Sequence, residues 1–495
     1  MLFNSFIFIF LFLPLLYAIW NLAVRHGGER SPTVILLIGS MFFYAWYRTD
    51  HLLVLVGSIL FNLIWVSAYK NHSRWWLATG IITNLALLAS FKYVRFFSHN
   101  FNYLLGTDLH IPTMELPLGI SFFTFQQIAW LIDIYSRKAE SKGLLKQSLF
   151  ISFFPQLIAG PIVHHRELIP QFTWRKSELT GTLTTGLCVF SIGLFKKVVI
   201  ADSLSPLAEA LFDGPTQGAL QTSLAWIGTL AYSFQLYFDF SGYSDMAIGL
   251  GLIFGIRLPV NFLSPYKSCS PTEFWRRWHI TLSTFIRDYL YIPLGGNRCS
   301  VTRHFINLMI TMALCGFWHG AGWNFIAWGL FHGGLLVLQR LLGKWLPWLE
   351  IRCMRPFSIL LCFIGITLGW VLFRSHSLSQ ALEIYLSLIT HDGWGASNVA
   401  AQVNYLIFNA QPWLLESLFD RQTLSLAPSL SLLGLSASIA WFLPNTQEWF
   451  KVGLVDETYP TIEKPSLASS FACGLLMTLS LVSMTGTGTF LYYQF

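Results

Sequence analysis

LCGFWHGAGWNFIAWGLFHGG, residues 314–334, joins two apolar runs at 303–318 and 321–340. Each run approaches the roughly 20 residues that an α-helix needs to cross the hydrocarbon core of a bilayer. Working outward, similar runs recur near 3–24, 32–47, 52–69, 75–91, 116–132, 181–200, 219–238, 356–373, 429–443 and 468–485. The pattern predicts an all-α polytopic membrane protein with about 11–13 transmembrane helices. Stretches near 148–163, 246–256 and 398–409 are broken by Gly, Pro or polar residues and read as re-entrant or interfacial segments. Backbone of that kind is tolerated at membrane depth only where protein or a wet cavity covers it.

Composition agrees. Of 495 residues, 54% are hydrophobic and 11% charged, against about 25% charged in a soluble domain. Twenty Trp, 18 Tyr and 43 Phe suit large interfacial belts. The net charge of +7 comes from basic residues in short loops, where they set topology, and no nucleic-acid motif accompanies them. Arg25 and Arg30 follow the first run, Lys70 and Arg74 the third, and Arg137, Lys138, Lys142 and Lys146 the fifth. This alternation places the N-terminus outside, although Lys92 and Arg95 weaken it. The first run lacks a basic leader and an A-x-A site, so it reads as a retained span. The seven Cys show no CxxC spacing, so no disulfide framework or thiol chemistry is expected. With no soluble domain or repeat visible, residues 1–495 read as one integral membrane domain.

Polar groups inside such runs are expensive and mark cavities or sites. Gln156 lies in ISFFPQLIAGPIVHHRELIP (151–170), which reads as a re-entrant segment, while His164 and His165 read as surface residues. Asp239 and Asp245 interrupt YSFQLYFDFSGYSDMAIG (232–249). They are expected to cap a helix broken near Gly242, to line a cavity, or both. SPTEFWRRWHITLSTFIRDYLYIPLGGNR (270–298) opens with a capping box and should stay helical until Pro293. Its Trp and Arg residues, Arg276 among them, suit an interfacial amphipathic helix that touches lipid or attracts an anionic donor. His279 fits simple anchoring less well. His319 is either a helix-packing histidine between close-packed glycines or a general base. On one continuous helix His319 and His332 would face apart, which disfavours a shared metal site. No nucleotide, zinc or nucleophile-elbow motif is present.

Six segments then carry a resemblance: PLGISFFTFQ (117–126), FFPQLIAGPIVHH (153–165), YFDFSGYSDMAIG (237–249), NFLSPYKSCSPTEFWRRWHITLSTFIRDYLYIPLGGNR (261–298), GFWHGAGWNFIAWGLFHG (316–333) and LPNTQEWF (443–450). In order and spacing the chain resembles the membrane-bound O-acyltransferase (MBOAT) family. It is most similar to the bacterial branch that includes the alginate O-acetylase and peptidoglycan O-acetyltransferase membrane subunits.

The resemblance implies helices around a central tunnel and a catalytic core at 117–450. It implies His319 as catalytic residue, with His279 assisting. It further implies acyl transfer from a cytoplasmic thioester, acetyl-CoA or another, with no bound cofactor and no metal. The acyl group would cross the bacterial inner membrane to a periplasmic SGNH-type or AlgX/AlgJ-like acetyltransferase that esterifies a polysaccharide acceptor. An alginate-type polymer is the foremost expectation, with peptidoglycan or another exopolysaccharide as alternatives. Asp239, Asp245, Trp318, Asn324, Gln156 and Arg276 would line the substrate path, and Trp318, Asn324 or backbone N–H groups near Gly320 would meet the developing oxyanion. The tail 486–495, with Phe490, Tyr492 and Phe495, resembles an aromatic relay or docking element, its alternative being an interfacial belt. Two other classes compete: a transporter, which predicts inverted repeats that are not seen, and a non-catalytic scaffold of a polymer export complex.

Overall fold

In the computed structural model, every apolar run that it describes forms a helix, and no strand occurs among the described residues. Those residues are 1–68, 73–112, 114–138, 143–174, 179–214, 221–343, 354–390, 427–452, 464–484 and 491. Phe8–His26, Thr49–Ser67, Thr182–Phe212, Trp323–Leu342 and Arg355–Arg374 are each long and apolar enough to cross a bilayer. Arg74–Lys92 and Val94–Leu105 form a pair bent by 72°. Leu53, Ile64 and Ile82 on these helices are 74%, 67% and 64% exposed, as lipid-facing positions of spanning helices are. The chain is therefore a multi-pass, all-α membrane protein. The interrupted stretch at 398–409 lies outside the described residues.

The described chain divides into two compact units, each assembled from separated segments.

The first unit comprises Met1–Ser191, Tyr243–Val260 and Thr446–Gly474. Its centre is aromatic, with Phe3, Phe8, Phe43 and Phe154 in ring contact at 5.1–6.4 Å. Buried amides find one another: Asn62 and Asn84 exchange two hydrogen bonds of 3.0 and 2.9 Å. Gln127 Nε2 donates to Ser58 Oγ at 2.7 Å. The Gly/Pro-rich stretch is broken as expected, into Leu144–Ser152 and the single turn Phe154–Leu157, with Pro155 in the first turn where its missing N–H costs nothing. One expectation fails here. His165 is buried at 6% exposure, its Nδ1 3.6 Å from Asp133, while Arg166 and Glu167 are exposed.

A second correction concerns Thr222–Ile253, a continuous helix of 32 residues. Neither Gly242 nor the sequence from 246 breaks it, and Asp239 and Asp245 are mid-helix, not caps. The glycines serve close approach instead. A Cβ at Gly242 would lie 2.7 Å from the Gly193 carbonyl oxygen, and one at Gly249 would lie 2.6 Å from that of Gly186. Glycine inside a helix is tolerated when its neighbour's backbone fills the space.

The second unit comprises Ile192–Gly242, Asn261–Asn445 and Leu475–Phe495. Here the expected helix from 270 to 293 is interrupted. Pro271–Arg277 ends, His279 takes a left-handed conformation with φ +44°, and Ile280–Ile286 follows. The cause is a strand-like pairing. Leu263 N donates to Arg277 O at 3.0 Å and Ile280 N to Asn261 O at 3.0 Å, around a bridge between Phe262 and Trp278. The start of the helix obeys the sequence: Glu273 N donates to Ser270 Oγ at 3.2 Å, and Glu273 pairs with Arg277 at 2.8 Å.

Candidate active site

His319 is the last residue of Val301–His319, and Trp323–Leu342 begins four residues later. Glycine sets this geometry twice. A Cβ at Gly316 would lie 2.1 Å from the Phe325 carbonyl oxygen, and one at Gly329 would lie 2.2 Å from that of Met312. The two helices therefore pack backbone to backbone. Between them Gly320 and Gly322 are extended, which ends the first helix at the imidazole. His319 is 7% exposed and walled by the rings of Trp318, Trp328 and Phe373, at centroid distances of 4.7, 5.1 and 5.2 Å.

The same break revises the relation between His319 and His332. A continuous helix would turn them apart. In the structure the His332 ring also packs on Trp328, at 4.8 Å. His332 is wholly buried, and its ring lies against Gly369, where a Cβ would fall 2.5 Å from Nε2.

His279 is 1% exposed. Its Nδ1 lies 3.1 Å from Asn261 Oδ1, which also accepts from Thr281 N at 3.3 Å and Thr281 Oγ1 at 2.9 Å. Burial pushes the imidazole down to about 3, so it is neutral at physiological pH. The segment of His279 is joined to His319 through touching indoles: Trp278 to Trp370 at 5.0 Å, Trp370 to Trp328 at 5.9 Å, and Trp328 to His319.

The other sequence-derived residues divide by partner. Asn324 Nδ2 donates to Ser375 O at 2.8 Å, tying the start of its helix to the end of Arg355–Arg374. Its amide thus has a backbone acceptor already. Arg276 is exposed. Asp239, 1% exposed, belongs to an ion cluster: Lys197 Nζ lies 2.7 Å from Asp239 Oδ1 and 2.6 Å from Asp202 Oδ1. Leu491 N donates to Asp239 Oδ2 at 3.1 Å. Phe490, Tyr492 and Phe495 lie outside the described residues. Two residues belong to the first unit and are occupied there. Gln156 Nε2 donates to Phe150 O at 2.6 Å, satisfying a carbonyl at a helix end. Asp245 accepts from Thr446 Oγ1 at 2.6 Å and from Gln447 Nε2 at 2.7 Å, fixing the segment Thr446–Phe450.

Sequence reasoning missed several residues. Lys197 stood in plain view inside an apolar run as the obligatory partner of a buried carboxylate. Asn261, Trp328 and Gly369 carried no signal by themselves. Among the described residues, no group of three His, Cys, Asp or Glu side chains is placed to hold a metal.

An imidazole at a helix break, screened by aromatic rings, together with the neutral imidazole of His279, suits proton transfer away from bulk water, and comparison with known proteins gives that chemistry a class. Residues 120–376 match the model of the membrane-bound O-acyltransferase family, MBOAT. A peptidoglycan O-acetyltransferase of Helicobacter pylori is 38% identical over 530 aligned positions, covering 100% of this chain and 98% of the relative. A protein of Pseudomonas aeruginosa named "Probable alginate O-acetylase AlgI" is 41% identical over 414 positions, covering 81% of this chain and 77% of that one. A teichoic acid D-alanyltransferase of Bacillus subtilis is 28% identical, over 69% and 93%. The protein is thus an integral membrane acyltransferase. More particularly, the chain belongs to the MBOAT family.

Proposed function

We propose that this enzyme moves an acetyl group from a cytoplasmic thioester, acetyl-CoA, through the bacterial inner membrane for O-acetylation of an extracytoplasmic polysaccharide. His319 carries the reading. It is an imidazole at a glycine-made helix break, inside the family-matched segment, screened by aromatic rings that limit thioester hydrolysis. In the step itself, His319 takes the proton of the attacking hydroxyl and its oxygen adds to the thioester carbonyl carbon. Collapse breaks the C–S bond, and the thiolate leaves with the proton that His319 returns. His279 orients the reacting groups, held by Asn261. In this reading the acyl group travels from donor side to acceptor side, and an SGNH-type periplasmic acetyltransferase receives it.

The test is His319→Ala in cells, with ester-linked acetate released from surface polymer by mild alkali and quantified. Acetate should fall to background. Unchanged acetate with normal amounts of the protein in the membrane would end the reading. For the acceptor, an alginate-type polymer was the foremost expectation, and one observation favours peptidoglycan: the peptidoglycan O-acetyltransferase aligns with this chain almost end to end. Which purified polymer loses acetate decides between them.

A further inference from the structure

Trp328, which touches His319, belongs to a group of three side chains whose buried polar atoms find no hydrogen-bond partner among the described residues. They are Trp275 (Nε1), Trp328 (Nε1) and His332 (Nδ1 and Nε2). They are not scattered. Their rings touch in a triangle, Trp275 to Trp328 at 5.8 Å, Trp275 to His332 at 5.2 Å and Trp328 to His332 at 4.8 Å. Trp328 is also the ring on which His319 packs. An unsatisfied buried polar group costs about 1–3 kcal/mol, so three in one place require an explanation. The adjoining indole differs: Trp370 Nε1 donates to Tyr266 Oη at 3.2 Å, and Tyr266 Oη donates to Ser233 O at 2.6 Å.

The chemistry of the three groups is weighted toward donors. An indole N–H only donates, and a neutral imidazole offers one N–H and one acceptor nitrogen. The triangle therefore presents three donors against a single acceptor, and an oxygen ligand answers the donors. Gly369 lets the ring of His332 sit directly against backbone.

We propose that Trp275, Trp328 and His332 form the oxyanion site of this enzyme and receive the carbonyl oxygen of the acyl thioester. The inference rests on the reading of His319 as base and extends it. When the hydroxyl oxygen adds to the carbonyl carbon, the C=O π pair moves onto that oxygen, and the three N–H groups stabilise the charge. When the C–S bond breaks, the pair returns to re-form C=O and the donors are released. This places the oxyanion contact away from Asn324, whose amide is already bonded to Ser375 O. A water molecule offers the same acceptor chemistry, so the test must separate the two occupants.

The experiment uses full-length protein in detergent with acetyl-CoA labelled with ¹³C at the carbonyl, read by isotope-edited infrared spectroscopy and by transfer kinetics. In the wild type the bound carbonyl band should lie below that of the free thioester. Trp328→Phe and Trp275→Phe keep the ring and remove the N–H. Each should return the band toward the free position and lower kcat by about 10²- to 10³-fold, the usual effect of one oxyanion donor, with KM for acetyl-CoA little changed. Gly369→Ala should do the same by displacing His332. A wild-type band at the free position overturns the proposal without any variant. So does an unchanged kcat and band in folded Trp328→Phe and Trp275→Phe, which would mean that the triangle holds only water. His319→Ala distinguishes this idea from the one beneath it. It should abolish transfer and keep the shifted band, whereas retained transfer would refute the base and leave the band to report on the oxyanion site alone.

Discussion

His279 and His332 are equally hidden, at 1% and 0% exposure, yet their surroundings differ. Around His279 the chain supplies the anchor. Asn261 accepts from Thr281 N, and a backbone N–H can only donate, so the facing amide atom is oxygen. Nδ1 of His279 is then the protonated nitrogen, and Nε2 keeps the lone pair. His332 has glycine beside it and aromatic faces around it, with no acceptor or donor among the described residues. One histidine is preset by folding. The other is left to be completed by what binds. The carboxylates repeat the contrast: Asp239 depends on a charge, while Asp245 is held by neutral donors from Thr446 and Gln447.

The contrast can be broken most severely at the charges. Lys197→Met strands Asp239 in the interior and should destabilise the protein by about 3–5 kcal/mol, read as a lowered unfolding temperature in detergent. Lys197→Met combined with Asp239→Leu should recover part of that loss, and a single variant as stable as the wild type would show that the cluster is not charge-paired. Next in size, Asn261→Leu frees the His279 ring and should lower kcat by about 10²-fold with little change in KM. If His279 acts only through this anchor, His279→Gln and the double variant should match it; additive losses would break the preset-ring interpretation. Thr446→Val should cost about 1 kcal/mol and leave transfer intact, which sharpens the assignment of Asp245 to structure. Smallest near neutrality is a pH effect. Burial lowers the His279 imidazole from its ordinary 6.5 to about 3, so the unfolded chain takes up a proton that the native chain refuses. Stability from this residue is therefore full above about pH 6.5 and falls as pH drops toward 3. His279→Gln should flatten that acid limb, and an unaltered limb would mean that another group causes it.

Hydropathy made the helices legible, because apolar length is a local property. The breaks were harder to read. Gly320 and Gly322 announce theirs, yet WRRWHIT contains neither Gly nor Pro, and its turn at His279 is imposed by Asn261–Leu263, a segment nearly twenty positions away. Gly242 misled in the opposite direction, since a glycine that admits a neighbouring backbone looks identical in sequence to one that ends a helix. His319 and His279 were singled out through the motifs that contain them. The triangle of Trp275, Trp328 and His332 was not, because it depends on separate turns of chain meeting, and the periodicity of one continuous helix turned His332 away from His319.

The bond from Leu491 to Asp239 spans 252 residues. At about 5–20 residues per second of synthesis, the helix bearing Asp239 emerges roughly 10–50 s before the amide that completes it. During that interval Lys197 is the carboxylate's chief companion. The last hydrogen bond to the Asp239 carboxylate is thus a late step of synthesis.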